Sequence, residues 1–311
     1  MRSTSWMKVQ VVVVTLCIGG WGTGCARVVS HFTKPVMEDL TNSFMKQKDP
    51  QLAEDGAPAF LLILDGLIEG HPESQDLLLG GAQATSAYAS AFLIRKYPER
   101  AVIQYTKARE YALRALSLRN RNFAEVKSKP YDEFVTCLPS FKEKDVPALF
   151  WTAACWAFWI QAMSTTEHSW DAFADLPVVK AMMQRVAELD ETFYYGGPHL
   201  FLGVLNGLLP PGLGGKPEEA RGHFEKALEI SEGKLFTVQV MFAKFYARTV
   251  YDRKLHDELL KQVVEGKPDA VPELTLTNIL AQEQAADLLA SAGDYFLDME
   301  AEPESESAPD T

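Results

Sequence analysis

The chain has 311 residues, 47% hydrophobic, 23% charged and 11% aromatic, which excludes global disorder and suffices for a large buried core. Acidic residues outnumber basic ones 42 to 30, for a formal charge of −12. That balance excludes nucleic acid as the main partner, because neutralising phosphates needs an excess of Lys and Arg.

Arg2 and Lys8 precede an almost wholly apolar run, Val9 to Ile18, and then Gly19, Gly20, Gly22, Thr23 and Gly24. A basic start, a short apolar stretch and small residues describe a secretory signal; the stretch is too short for a spanning helix. Cys25 follows Gly24 directly, as in bacterial lipoprotein signals, where the cysteine is freed by cleavage and acylated. Gly22 departs from the branched apolar residue usual three positions before that cysteine. The expectation is a signal peptide over 1–24, lipid on Cys25 and a periplasmic protein held at a membrane; plain secretion and a retained anchor are the alternatives. Each buried CH₂ contributes about 0.8 kcal/mol, so two or three acyl chains anchor stably. Cleavage removes Arg2 and Lys8 and no acid, which leaves the mature chain more acidic. Cys137 and Cys155 then remain as thiols. An exported compartment allows them to pair, while the apolar surroundings of Cys155 suit a buried free thiol.

Residues 25–50 read as a tether and a first helix, with Pro35 near its start. Residues 51–295 read as helix after helix, since sustained period-2 alternation and Asn-Gly hairpin turns are missing. Gly70-His71-Pro72, Lys96-Tyr97-Pro98, Lys129-Pro130, Gly196-Gly197-Pro198, the stretch Pro210 to Pro217 and Gly266-Lys267-Pro268 punctuate them. Pro72-Glu73, Pro98-Glu99, Pro217-Glu218-Glu219 and Pro272-Glu273 suit first helical turns, where a fixed φ and a missing N–H cost nothing and carboxylates face the positive helix end. Residues 296–311 are expected to be a disordered acidic tail.

A degenerate repeat runs through the helices. Pro217 is followed by Ala220, Phe224 and Ala227, and Pro98 at the same offsets by Ala101, Tyr105 and Ala108. Weaker copies follow Pro177, where only Ala187 holds, and Asp252, where Leu255 and Leu259 are apolar but not small. Small-x3-aromatic-x2-small on a second helix is the tetratricopeptide pattern: small residues let two helices approach and the aromatic fills the space between pairs. Leu202-Gly203 matches the first helix of such a unit, with an enlarged turn before Ala220. The predicted fold is therefore all-α, a tetratricopeptide-like solenoid of stacked helical hairpins rather than two domains.

Residues 146–166 carry no charge and hold Trp151, Trp156, Phe158 and Trp159. The stretch is long enough to span a membrane, but Pro147 shortens it and Trp156 and Trp159 would lie mid-bilayer. An innermost core helix is the better reading. Its tryptophans pack the core or line a cleft for an apolar or amphipathic ligand; Trp151, Trp156 and Trp159, with Tyr195, Tyr246 and Arg248, are the candidate lining. Pro210, Pro211, Gly212, Leu213, Gly214 and Gly215 are either an enlarged interhelix turn or a loop that touches a partner.

His31, His71, His168, His199, His223 and His256 form no H-E-x-x-H, and G-x-S-x-G, zinc-spaced cysteine pairs and phosphate loops are all missing. No catalytic, metal or cofactor site is expected. The stretch 146–265 resembles the TatT family, the tetratricopeptide-containing accessory components of bacterial TRAP transporters. The residues carrying the resemblance are Leu149-Phe150-Trp151, Trp156, Trp159, Tyr195-Gly196-Gly197-Pro198, Leu209-Pro210, Leu213 to Ala220, His223 to Glu229, Tyr246-Ala247-Arg248 and Asp252. The resemblance implies a non-enzymatic periplasmic protein that pairs with the substrate-binding protein of an ion-driven transporter and itself binds or passes a small apolar or organic-acid ligand. A general scaffold for envelope assembly and an unmotifed hydrolase are the competing readings. Self-association, with a trimer as the first candidate, is a further expectation, and residues 119–145 match no pattern.

Overall fold

The computed structural model describes residues 39–167, 170–209 and 211–296. The expected signal peptide, Cys25, Pro35, Pro210 and the acidic segment after Phe296 lie outside the described residues. The chain divides after Met45. The first unit contributes a short helix over 39–45. The second holds all other described elements, and among the described residues there is no strand: the fold is all-α.

Helix α1 (Pro50–Gly70) opens with proline in its first turn, and the Asp49 carboxylate accepts from the backbone N–H of Gln51 and Leu52. It buries Ala53, Ala57, Leu61, Leu64 and Ile68 as one stripe. Helix α2 (Gln75–Tyr88) starts later than Pro72 predicts, because the Ser74 hydroxyl accepts from Leu77 N–H and caps it there. Helix α3 (Pro98–Arg119) does open on its proline. Short helices α4 (Arg121–Val126) and α5 (Tyr131–Phe134) and two 3₁₀ turns lead to α6 (Val146–Thr166). Helices α7 (Leu176–Leu189), α8 (Phe193–Gly207), α9 (Pro217–Ser231), α10 (Thr237–Phe242), α11 (Arg253–Glu265), α12 (Thr275–Ala290) and α13 (Ala292–Tyr295) complete the order. Asp252 caps α11 by accepting from Leu255 N–H at 2.9 Å.

Long helices pack on their successors, α2 on α3 and α8 on α9 most extensively. The small-aromatic-small triplets are buried: Ala101, Tyr105 and Ala108 in α3, and Ala220, Phe224 and Ala227 in α9. Gly203 of α8 faces the Phe224 ring so closely that an added Cβ would lie 3.0 Å from three ring carbons. Helix α12 reaches back to α1, and Arg95 pairs with Asp287 of α12 at 2.7 Å.

The uncharged α6 packs against α2, α3, α7 and α8. The span Glu143–Thr166 is long and apolar enough to cross a membrane by length and composition, but most of its side chains are buried within the fold, the setting of a core helix. The buried Thr152 hydroxyl donates to Ala148 O at 2.7 Å. Residues 119–145, silent in the sequence, fill core: Phe123, Phe134 and Phe141 are wholly buried and meet edge-on. Arg119 Nε donates to the buried Asp145 carboxylate at 2.7 Å. Cys137 and Cys155 are both buried free thiols, so they do not pair. Cys155 Sγ lies 3.7 Å from Ala82 O and from Ser86 Oγ, and burial pushes its pKa up to about 12 and that of Cys137 up to about 11.

Candidate ligand cluster and partner surfaces

The six residues proposed as a cleft lining fall into different packing groups. Trp151, Trp156 and Trp159 belong to the hydrophobic cluster around α6, whereas Tyr195 and Tyr246 belong to the one around α9–α12. Trp156 and Trp159 are joined by a residue from α3. The Arg109 guanidinium carbon lies 4.5 Å from the Trp156 ring centre and 4.1 Å from that of Trp159. Trp156 Nε1 donates to Asp175 Oδ2 at 2.9 Å, and Arg109 Nη2 approaches the same oxygen at 3.5 Å. Burial holds the Arg109 pKa below its usual value, against the opposing pull of Asp175. This is a cation–π sandwich with its counter-ion in place, so Arg109 occupies the space between the indoles.

Trp151 packs edge-on to Phe150 and Tyr194. Tyr194, Tyr195 and Gly196 all take left-handed backbone angles, with φ of 48°, 58° and 79°. For the two tyrosines that conformation costs roughly 1–3 kcal/mol each. The turn starts α8 in a crowded place. A Cβ on Gly196 would lie 3.2 Å from Ala227 Cα, and one on Gly197 would lie 2.8 Å from the Phe150 ring. The Gly-Gly pair is what admits α8 between α6 and α9. The Tyr195 hydroxyl donates to Glu273 Oε1 at 3.4 Å, while Tyr246 is buried against Phe242.

Arg248 stands in a different setting. Two helices of the fold end in π-helical turns: α2 runs into Ala89–Leu93 and α10 into Ala243–Ala247. Such turns insert an extra residue and are frequent at functional sites. The first is followed by Arg95; the second contains Lys244 and is followed by Arg248. Burial, and then the charges of Arg248 and Arg95, hold the Lys244 pKa below the usual lysine value. Arg248 Nε donates to His256 Nε2 at 3.4 Å, and its guanidinium carbon lies 4.8 Å from the Tyr295 ring centre. An arginine donates only, so His256 Nε2 is the acceptor and its Nδ1 carries the proton, donated to Asp257 Oδ1 at 2.8 Å. Burial and the Arg248 charge hold His256 below the usual histidine pKa, against the opposing effect of Asp257.

Two surfaces are exposed among the described residues. Between α8 and α9, Pro211–Leu213 forms a 3₁₀ turn and Gly214 takes a φ of 92°. Gly212 and Gly214 both face open space. Lys216 N–H closes the loop by donating to Asn206 O at 2.8 Å. On α1, Leu52, Leu62 and Ile63 are 56%, 72% and 60% exposed. With the exposed Gly56, Ala59 and Gly66 they make an apolar stripe interrupted only by Asp55.

Over residues 46–296 the chain matches the family model described as TRAP transporter T-component. The chain belongs to that family. The T-component match includes both π turns, the Gly196-Gly197 entry to α8, the loop after α8 and the α1 stripe. An uncharacterized protein of Treponema pallidum (strain Nichols) is similar to this T-component, 24% identical over 275 residues that cover 84% of each chain.

Several residues of the T-component's polar clusters escaped the sequence reading. Arg109 follows Ala108 of a repeat and reads as a solvated helix position. Lys244 and Arg95 look like ordinary surface cations, because π turns leave no pattern in a single sequence. Among the described residues no group of three or more His, Cys, Asp or Glu is arranged to hold a metal.

Proposed function

We propose that this T-component is a lipid-anchored periplasmic protein that docks the substrate-binding protein of a TRAP transporter and holds or passes a small organic ligand. The observation that carries the reading is the family match across 46–296. The signal-like residues before Cys25 support export and acylation at that cysteine. The Gly203–Phe224 approach and the buried Ala-aromatic-Ala triplets of α3 and α9 support a tetratricopeptide-type stack, a scaffold suited to protein docking. The exposed loop after α8 and the apolar α1 stripe are the surfaces offered to the partner. Self-association, as a trimer, would compete for the same stripe.

The test is capture of the purified substrate-binding protein from the same transport system by the mature chain. Wild type is expected to retain it, and Leu62→Asp or a shortened 211–215 loop to lose it with the fold unchanged. Failure of wild type to retain it at tens of micromolar overturns the docking reading. Cys25→Ser is expected to move the protein from the membrane fraction to the soluble periplasm; unchanged fractionation overturns the anchor.

A further inference from the structure

We propose that His199 and His223 form an acid-opened clasp between α8 and α9 that holds the loop between these helices in the shape offered to the partner. Its role in docking rests on the reading above; the clasp itself rests on the geometry of the α8–α9 contact.

The two Nδ1 atoms lie 3.0 Å apart and the ring centres 5.2 Å apart. That is nearly the longest separation two imidazole centres can have at this nitrogen distance, so the nitrogens point straight at each other. A proton fits on the line between them. A metal ion does not, because each metal–imidazole bond needs about 2.0–2.1 Å. His199 Nε2 faces Glu191 Oε2 at 3.4 Å, and a carboxylate only accepts, so that nitrogen carries a proton. In the neutral pair His199 Nδ1 is therefore bare and accepts from His223 Nδ1–H. One added proton can be taken on His223 Nε2 without touching this bond. A second puts N–H on both facing nitrogens: the hydrogen bond is lost and two positive rings meet.

The surroundings leave little slack. On either side of the pair α8 and α9 approach closely, Gly196 against Ala227 and Gly203 against Phe224. Helix α6, which also packs on α8, brings no charge. Glu191, before α8, is shared with Lys226 of α9 at 3.8 Å. From α7, Lys180 lies 3.8 Å from Glu219 of α9 and donates to Asn206 Oδ1 at 2.6 Å. Lys244, in the π turn that packs on both helices, feels Arg248 and Arg95 rather than the pair. Burial opposes protonation of His223 most, the His199 and Lys180 charges add to it and Glu219 works against it, and the balance holds the pKa below the usual histidine value.

The loop is closed by the same helix contact. Lys216 N–H donates to Asn206 O at 2.8 Å, and Lys216 Nζ pairs with Glu219, one turn before His223, at 2.6 Å. Parting α9 from α8 at the histidines therefore loosens the base of the loop as well.

The test is hydrogen exchange of the mature chain at pH 7.5 and 5.5, corrected for the intrinsic pH dependence of exchange. The Lys216 amide of wild type is expected to lose about tenfold in protection at pH 5.5, the factor for a histidine that takes up its proton only in the open form, one unit below its ordinary pKa. In His223→Gln the amide still pairs with His199 and does not titrate, so protection is expected to hold at both pH values. His199→Gln is the second non-titrating variant, with the same expectation. Equal wild-type protection at the two pH values overturns the clasp, and so does the same loss in both variants. Sedimentation with the substrate-binding protein is run on the same samples. Acid is expected to weaken docking about tenfold more for wild type than for His223→Gln, since any pH response of the partner affects both alike. Lost protection with no such difference in docking overturns the clasp's hold on the docking surface. Opening as described without docking at pH 7.5 overturns the docking reading alone.

Discussion

Replacing Gly207 by alanine presses directly on the π turn that carries Lys244. Gly207 is the last residue of α8, and a Cβ added there would lie 2.4 Å from Phe245 O and 3.2 Å from Phe245 C. Ordinary contact begins near 3.4 Å, so two backbones must separate by about 1 Å. No flexible side-chain tip is available to yield, which places the overpacking cost at the upper end of its usual range, about 3 kcal/mol. Alanine's better helix propensity returns about 1 kcal/mol, leaving a net loss of about 2 kcal/mol. Gly222, in the middle of α9, is exposed and a Cβ there meets nothing within 4 Å. Gly222→Ala therefore keeps the propensity gain, about 0.5–1 kcal/mol. Urea unfolding with unchanged m-values is expected to place the two variants on opposite sides of wild type. Gly207→Ala as stable as Gly222→Ala would refute the close approach of α8 to the π turn.

Trp156→Ala is expected to cost about 3–5 kcal/mol, because it empties a core position and strands Arg109 and Asp175; urea midpoints check this, and a cost under 1 kcal/mol contradicts it. Cys137 and Cys155 are expected to resist thiol reagents in the folded protein and to react fully only in denaturant, given their burial and raised pKa values; fast labelling of the native protein contradicts that. His199 and His223 face each other with their Nδ1 atoms 3.0 Å apart, and burial, then the His199 charge, lowers the His223 pKa. The unfolded chain takes up that proton near pH 6.5 and the folded one at lower pH, so this stabilisation is present above about pH 6.5 and is lost as pH falls below it. His223→Gln is expected to flatten the fall in stability between about pH 7 and 5; an unchanged slope contradicts the assignment.

The sequence carries the helical frame plainly where local signals agree with packing. Pro98 and Pro217 open helices whose Ala-aromatic-Ala triplets are buried, and Asp252 caps the helix after it. Pro72 misleads because a better cap, Ser74, lies two residues on. The uncharged stretch at 146–166 marks a largely buried helix, but its indoles do not reveal their partners. Arg109 reaches Trp156 and Trp159 from a helix far away in sequence, and Asp175 reaches them from a 3₁₀ turn. The π turns are the least legible feature, since their geometry is set by tertiary packing rather than by residue type. Of the proposed lining, Tyr246 lies in the second turn and Arg248 directly after it.

Sedimentation velocity of the mature T-component mixed with the substrate-binding protein of its own transport system tests the central claim most directly. The account predicts a faster boundary containing both proteins at tens of micromolar, lost with Leu62→Asp while the variant alone sediments as wild type alone does. Two independent boundaries for the wild-type mixture would contradict it.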